Sequence, residues 1–98
     1  MTEPLPRITI EYCTRCNWLL RAAWLAQELL QTFDTELGEV ALLPGDGGQF
    51  QINLEWGSKS PVRLWCRAQE GGFPEAKILK RRLRDQINPE RDLGHNDR

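Results

Sequence analysis

The chain has a single histidine and three cysteines, a poor supply for a four-ligand metal site built from those residue types. Charge of one sign is also missing. Thirteen basic residues against fourteen acidic ones leave a formal net charge of -1, so no global field directs the chain to nucleic acid or to an anionic membrane. No apolar run approaches the roughly 20 residues that span a bilayer. Met1-Thr2-Glu3-Pro4-Leu5-Pro6 has neither the basic start nor the apolar stretch of a signal peptide. A reducing cytoplasm is therefore the expected location. There, a close cysteine pair serves catalysis, redox sensing or metal binding more often than permanent cross-linking. The odd cysteine count leaves at least one thiol free in any monomeric disulfide scheme.

What is present is ordinary in bulk and specific in one place. The length of 98 residues fits one compact domain. Four Trp and three Phe are enough to fill a small core. The specific feature is Cys13-Thr14-Arg15-Cys16. Two thiols at this spacing can reach each other across a turn, and a helix start nearby favours a thiolate. Arg15 and Arg21 add positive charge.

Periodicity places the motif between a strand and a helix. Ile8, Ile10 and Tyr12 alternate with Thr9 and Glu11 over 7–12, a half-buried strand. Residues 16–33 contain no Pro or Gly and are rich in helix formers. At 100° per residue, Leu19, Ala22, Ala26, Leu29, Leu30 and Phe33 form one apolar face. Trp24 and Leu20 fall on the polar side. A turn over 34–38 leads to a short strand over 39–43, stopped by Pro44-Gly45-Asp46-Gly47-Gly48. That glycine-rich run lacks the Lys-Ser/Thr of a phosphate loop and reads as a turn. Residues 49–56 alternate strictly, and 62–67 return as the second arm of a hairpin. Val62, Leu64 and Cys66 share one face of that arm, which makes Cys66 a small core residue. Gly71-Gly72-Phe73-Pro74 feeds a last helix with Pro74 at its first position and Ala76, Leu79, Leu83 and Ile87 as its buried stripe. Lys77, Lys80, Arg81, Arg82 and Arg84 make that helix basic, as a solvated face without the interleaved aromatics of a nucleic-acid surface.

The order is β-α-β-β-β-α: an α/β, thioredoxin-like fold with a four-stranded mixed sheet and two helices. Residues 1–6 form a flexible lead-in, 7–88 the domain, and 89–98 a polar tail. The cysteines then lie at the carboxyl end of the first strand, the edge where α/β sheets place their sites. Plain geometry makes Cys13 the accessible, attacking sulfur and Cys16, within the first helical turn, the covered, resolving one. A zinc clip and an inert pair are the competing readings of the same two residues. Phe73 is a helix-entry packing residue that also stands where it can shield the sulfurs or touch a substrate. Thr14, Arg15, Trp18, Trp24 and Phe73 are the expected substrate or partner contacts, with Trp18 and Trp24 forming an apolar surface for a protein partner or a second copy.

Ile10-Glu11-Tyr12-Cys13-Thr14-Arg15-Cys16-Asn17-Trp18 resembles the opening of the selenoprotein W/T/H-like family, bacterial Rdx type. Residues 19–30, 40–45, 50–54, Gly71-Gly72-Phe73-Pro74-Glu75 and Arg91-Asp92-Leu93-Gly94-His95 are similar as well. The resemblance spans about residues 7 to 95. It implies a thioredoxin-like fold and a thiol redox role in cell redox homeostasis. Where that family carries selenocysteine, the position matches Cys16, which implies Cys16 as the nucleophile. The two assignments of the attacking sulfur stand side by side. The functional expectation is a small thiol-disulfide redox protein that exchanges electrons with protein thiols or glutathione, without a bound cofactor. The alternative is a redox-switched protein-binding module without turnover, docking through the Trp18/Trp24 surface.

Overall fold

The computed structural model describes residues 4–97. The first three residues of the expected lead-in, and residue 98, lie outside the described residues. The elements are β1 (Arg7–Cys13), α1 (Leu19–Thr32), β2 (Glu39–Gly45), β3 (Phe50–Glu55), β4 (Val62–Cys66), α2 (Arg67–Glu70) and α3 (Ala76–Ile87), with a 3-10 turn at Gly94–Asp97. The sheet order is β2-β1-β3-β4. β1 runs parallel to β2 and antiparallel to β3, and β3 runs antiparallel to β4. This is the mixed four-stranded, thioredoxin-like sheet that the element order implies.

Strand alternation builds a two-sided sheet. Val40, Ile8, Leu54 and Val62 stand in one cross-strand row, and Leu42, Ile10, Ile52 and Trp65 in the next. These rows join Ala22, Leu25, Ala26 and Leu29 of α1 and Leu79 and Leu83 of α3 in one apolar cluster. The intervening rows are polar. Arg7 bridges Glu39 at 2.7 Å and Glu55 at 3.0 Å across three strands. Arg63 Nε donates to Asn53 Oδ1 at 2.5 Å.

Several expectations shift in register. α1 begins at Leu19 rather than at position 16, because Asn17 sits at φ 60°, a left-handed conformation that cannot continue a right-handed helix. Its buried face turns toward Leu25, leaving Leu19 46% and Leu30 41% exposed. β2 runs on through Pro44 to Gly45. A proline is tolerated there because β2 is an edge strand. A short third helix, α2, follows β4 directly, and α3 starts at Ala76, so Pro74 precedes the helix instead of opening it.

β4 departs from plain alternation. The register slips between Ile52 and Asn53, so that Trp65 opposes Ile52 and Arg63 opposes Asn53. Leu64 is the extra residue of this bulge. Cys66 lies opposite Gln51 and is buried, as the small core residue expected.

Two of the basic residues of α3, Lys80 and Arg82, tie the helix to neighbouring elements rather than lying on a free solvated face. Lys80 is buried and its ammonium donates to Glu28 Oε1 of α1 at 2.9 Å. Arg82 grips both carboxylate oxygens of Glu70, at 2.6 and 2.7 Å, and donates to the Leu64 carbonyl at 2.9 Å. Further along the chain, Arg91 pairs with Glu36 and donates to the Thr32 carbonyl at 2.7 Å, and Leu93 enters the core. Among the described residues no helix is long and apolar enough to cross a membrane.

The Lys80–Glu28 pair ties the two long helices together, and its halves are unequal. Glu28→Ala leaves a buried ammonium without its partner and should cost about 1–3 kcal/mol, less than for a fully enclosed pair because the Glu28 side chain keeps 30% exposure. Lys80→Met removes the charge together with its need for a partner and should cost less than Glu28→Ala. Urea unfolding of both variants checks the order.

Candidate functional site

The site is built by the end of β1 and the start of α1, with two loops leaning on it. Parallel pairing sets Cys13 opposite Gly45. The chain then turns over 14–17, where Asn17 N donates to the Thr14 carbonyl at 3.3 Å. Thr14 is anchored twice to one acceptor: its N–H at 2.8 Å and its Oγ1 at 2.9 Å both donate to the Gly45 carbonyl. The turn that carries the cysteines is thus fastened to the end of the neighbouring strand.

The sulfurs are in contact. Cys16 Sγ donates to Cys13 Sγ at 2.8 Å, and both are free thiols. An S–S bond measures about 2.05 Å, so the two sulfurs are placed to close into a disulfide. The order of exposure reverses the one that plain geometry predicts. Cys13 is buried, with 1% exposure, while Cys16 is partly exposed. The reason is that Cys16 lies in the turn ahead of α1 and not within its first turn. Cys13 ends a central strand of the sheet and is buried there.

The two thiols are polarised in opposite directions. The hydrogen bond from Cys16 is the main influence that holds Cys13 below the ordinary thiol range. Burial opposes it, and the backbone N–H groups of Gly48, Cys16 and Arg15 add to it. The same bond pushes Cys16 up, helped by burial and by the nearby Cys13 charge, with the Arg67 guanidinium pulling the other way. Of the two sulfurs, the buried one is thus made the more acidic and the one that solvent reaches the less acidic.

Gly48 is a residue that sequence reasoning missed. The run Gly45-Asp46-Gly47-Gly48 was expected to act as a turn only, yet Gly48, at φ 76°, aims its N–H at the Cys13 sulfur. A signal was available. In any β-α-β unit the loop after the second strand rises beside the end of the first, and glycines there permit close backbone approach. Arg67 was missed as well. It lies on α2, an element too short to be read from periodicity.

The flank beside Cys16 is aromatic. Trp18, which precedes α1, packs edge-on against Phe73 at 4.9 Å and Phe50 at 6.2 Å, and Phe50 meets Phe73 at 5.0 Å. Arg21 lies 4.1 Å over the Phe73 ring, and Arg67 stands 4.8 Å from Trp18 and 5.2 Å from Phe73. Phe73 is therefore a packing residue that joins the entry of α3 to the site. Trp18 packs against the core, whereas Trp24 is 50% exposed on α1 with Leu20 at 82%. On the Thr14 side a groove of about 480 Å³ is lined by Tyr12, Thr14, Asn17, Leu19 and Leu20. Thr14 and Arg15 are exposed. Among the described residues, no cluster of three His, Cys, Asp or Glu is placed to hold a metal ion.

A mixed α/β sheet with a close dithiol at the carboxyl end of its first strand defines a class of small thiol proteins. Within that class the chain belongs to the Rdx family, whose model matches residues 7–85. Two solved structures are similar. A protein from Bordetella parapertussis is 59% identical, with a TM-score of 0.76 over 85% of this chain and 99% of that one. A selenoprotein W-related protein from Vibrio cholerae is 54% identical, with a TM-score of 0.78 over 86% of this chain and 99% of that one. Among curated proteins nothing matches. The family and the placement of the two thiols together support a redox-related role.

The hydrogen bond from Cys16 is replaceable by a hydroxyl and not by a methyl. In Cys16→Ser the donor to Cys13 remains, and in Cys16→Ala it is lost. The Cys13 thiolate should therefore persist to lower pH in Cys16→Ser than in Cys16→Ala, as read by thiolate absorbance near 240 nm. Coincident titrations would show that the sulfur–sulfur bond does not set the Cys13 acidity.

Proposed function

We propose that the protein is a small thiol-disulfide redox protein whose Cys13–Cys16 pair exchanges electrons with protein thiols or glutathione. The observation that carries this reading is the 2.8 Å contact between the sulfurs, with Cys13 receiving backbone N–H groups as well. Attack needs a sulfur that a partner can reach, and resolution needs a thiolate ready beside it. Cys16 is the reachable sulfur. In this reading its proton passes to Cys13, and the Cys16 thiolate, favoured by Arg67, takes the mixed disulfide. Cys13 gives up that proton, attacks the Cys16 sulfur and releases the reduced partner. The short loop between the cysteines, with Thr14 anchored to Gly45, keeps both sulfurs in place for the second step.

A redox-switched binding module without turnover is the second reading. It is favoured by one observation: the groove beside Thr14 is lined by Leu20, which is exposed, as is Trp24 four residues further along α1. Oxidation would then alter the turn next to that surface, and affinity would change once per oxidation.

Equilibration in glutathione or dithiothreitol buffers, followed by thiol trapping, tests the first reading. A reversible intramolecular couple at about -200 to -300 mV is expected, the range of cytosolic carriers. A disulfide that forms at no poise, or only between chains, would leave the binding module as the better account. Single-cysteine variants test the order of attack. Cys13→Ser should form a mixed disulfide with glutathione rapidly and hold it, while Cys16→Ser should react at least about tenfold more slowly because its sulfur is covered. Faster capture by Cys16→Ser would assign attack to Cys13. Trp24→Glu should abolish any self-association seen by sedimentation and leave the reduction potential unchanged.

A further inference from the structure

The formal net charge of -1 hides a local excess of positive charge. Arg7, Lys80, Arg82, Arg84 and Arg91 all hold carboxylates. Arg15, Arg21 and Arg67 hold none among the described residues, and all three stand around the Cys13–Cys16 turn. Arg15 lies between the cysteines. Arg21 and Arg67 are spread on the aromatic flank, over Phe73 and beside Trp18.

Arg67 is the unusual member. Its Nε is buried without a hydrogen-bond partner, an arrangement that ordinarily destabilises a fold. Its contacts are two ring edges or faces and the field it exerts on Cys16. A guanidinium positioned by rings and left without an anion is a recognition group in want of an acceptor. The nearest acidic residues in the surrounding loops do not supply one. Asp46 is exposed in the loop on the Cys13 side, Glu75 is exposed two residues beyond Phe73, and Glu70 is committed to Arg82.

We infer that Arg67 and Arg21, held on the Trp18–Phe73 rings beside Cys16, form a recognition site for a carboxylate on the thiol or disulfide partner, so that the pair selects anionic partners over neutral and cationic ones. The inference rests on the thiol-exchange reading above. In the oxidative direction the balance is simple. The Cys16 thiolate attacks a disulfide R–S–S–R, forming protein–S–S–R and releasing R–S⁻. The Cys13 thiolate then attacks the Cys16 sulfur, closing the Cys13–Cys16 disulfide and releasing the second R–S⁻. Two electrons pass from the cysteines to the partner, and their protons pass to solvent or to the departing thiolates. A carboxylate a few bonds from the attacked sulfur reaches the guanidinium groups while that sulfur meets Cys16.

Three small symmetrical disulfides probe this with the full chain: dithiodipropionate, anionic; hydroxyethyl disulfide, neutral; and cystamine, cationic. Rates of oxidation of the reduced protein at low salt should favour dithiodipropionate over cystamine by at least about tenfold, the lower end of electrostatic steering. Arg21→Gln/Arg67→Gln should bring that ratio within about threefold, each rate being taken relative to that of hydroxyethyl disulfide with the same protein. The neutral probe normalises any change in thiol reactivity caused by losing the Arg67 field. Arg21→Gln alone, at an exposed position, should give part of the loss if the double variant is poorly folded. An equal preference in the variants and the native chain, or no preference in the native chain, overturns the inference. Failure of hydroxyethyl disulfide to oxidise the native pair overturns the exchange reading itself.

Discussion

The parallel register of β1 with β2 is the constraint on which the site depends. It sets Cys13 against Gly45, and the two hydrogen bonds from Thr14 to the Gly45 carbonyl lock that alignment at the point where the chain leaves the sheet. A parallel neighbour can be reached only by a long crossover, here α1, so the turn that opens α1 must lie at this edge. The loop that leaves β2 rises at the same edge. The cysteine turn and the glycine loop are therefore neighbours because of strand direction, although 31 residues separate Thr14 from Gly45. Gly48 reaches the sulfur as a consequence, and its left-handed φ is one that a side chain would strain.

The chemistry of the pair follows from unequal surroundings rather than from unequal residues. Both are cysteines with the same intrinsic acidity. Cys13 receives donors from three backbone sites as well as from Cys16, whereas Cys16 is the donor and receives only the distant help of Arg67. Burial raises both, so it does not distinguish them. What distinguishes them is hydrogen bonding to the charged form. The arrangement separates the more acidic sulfur from the exposed one, as the proposed two-step exchange requires.

The interior supports this edge from a distance. Phe73 belongs both to the aromatic flank and to the entry of α3, so the position of α3 decides where Phe73 stands. α3 is in turn fastened by Lys80 to α1, by Arg82 to Glu70 and the β4 carbonyl, and by packing of Leu79 and Leu83. Its basic residues read as a solvated face when only their spacing is considered. Lys80 and Arg82 prove to be clamps because their acidic partners come from α1 and α2. Net charge was equally uninformative about the site, since most paired charges cancel elsewhere and three arginines are left around the thiols.

Much of this protein was determined by the sequence alone. Alternation over 7–12 and 49–56, the long proline-free helical stretch and the glycine turns define the elements, and the spacing of Cys13 and Cys16 defines a pair that can close. Those signals are local, and local periodicity survives in one dimension. Tertiary structure decided the rest. The face that α1 buries, the bulge in β4, the packing of Trp18 against Phe50 and Phe73 and the exposure order of the two sulfurs all depend on what lies across the sheet or the turn. Gly48 and Arg67 act on the thiols only because the chain returns to the same edge, and no spacing along the sequence measures a distance through space.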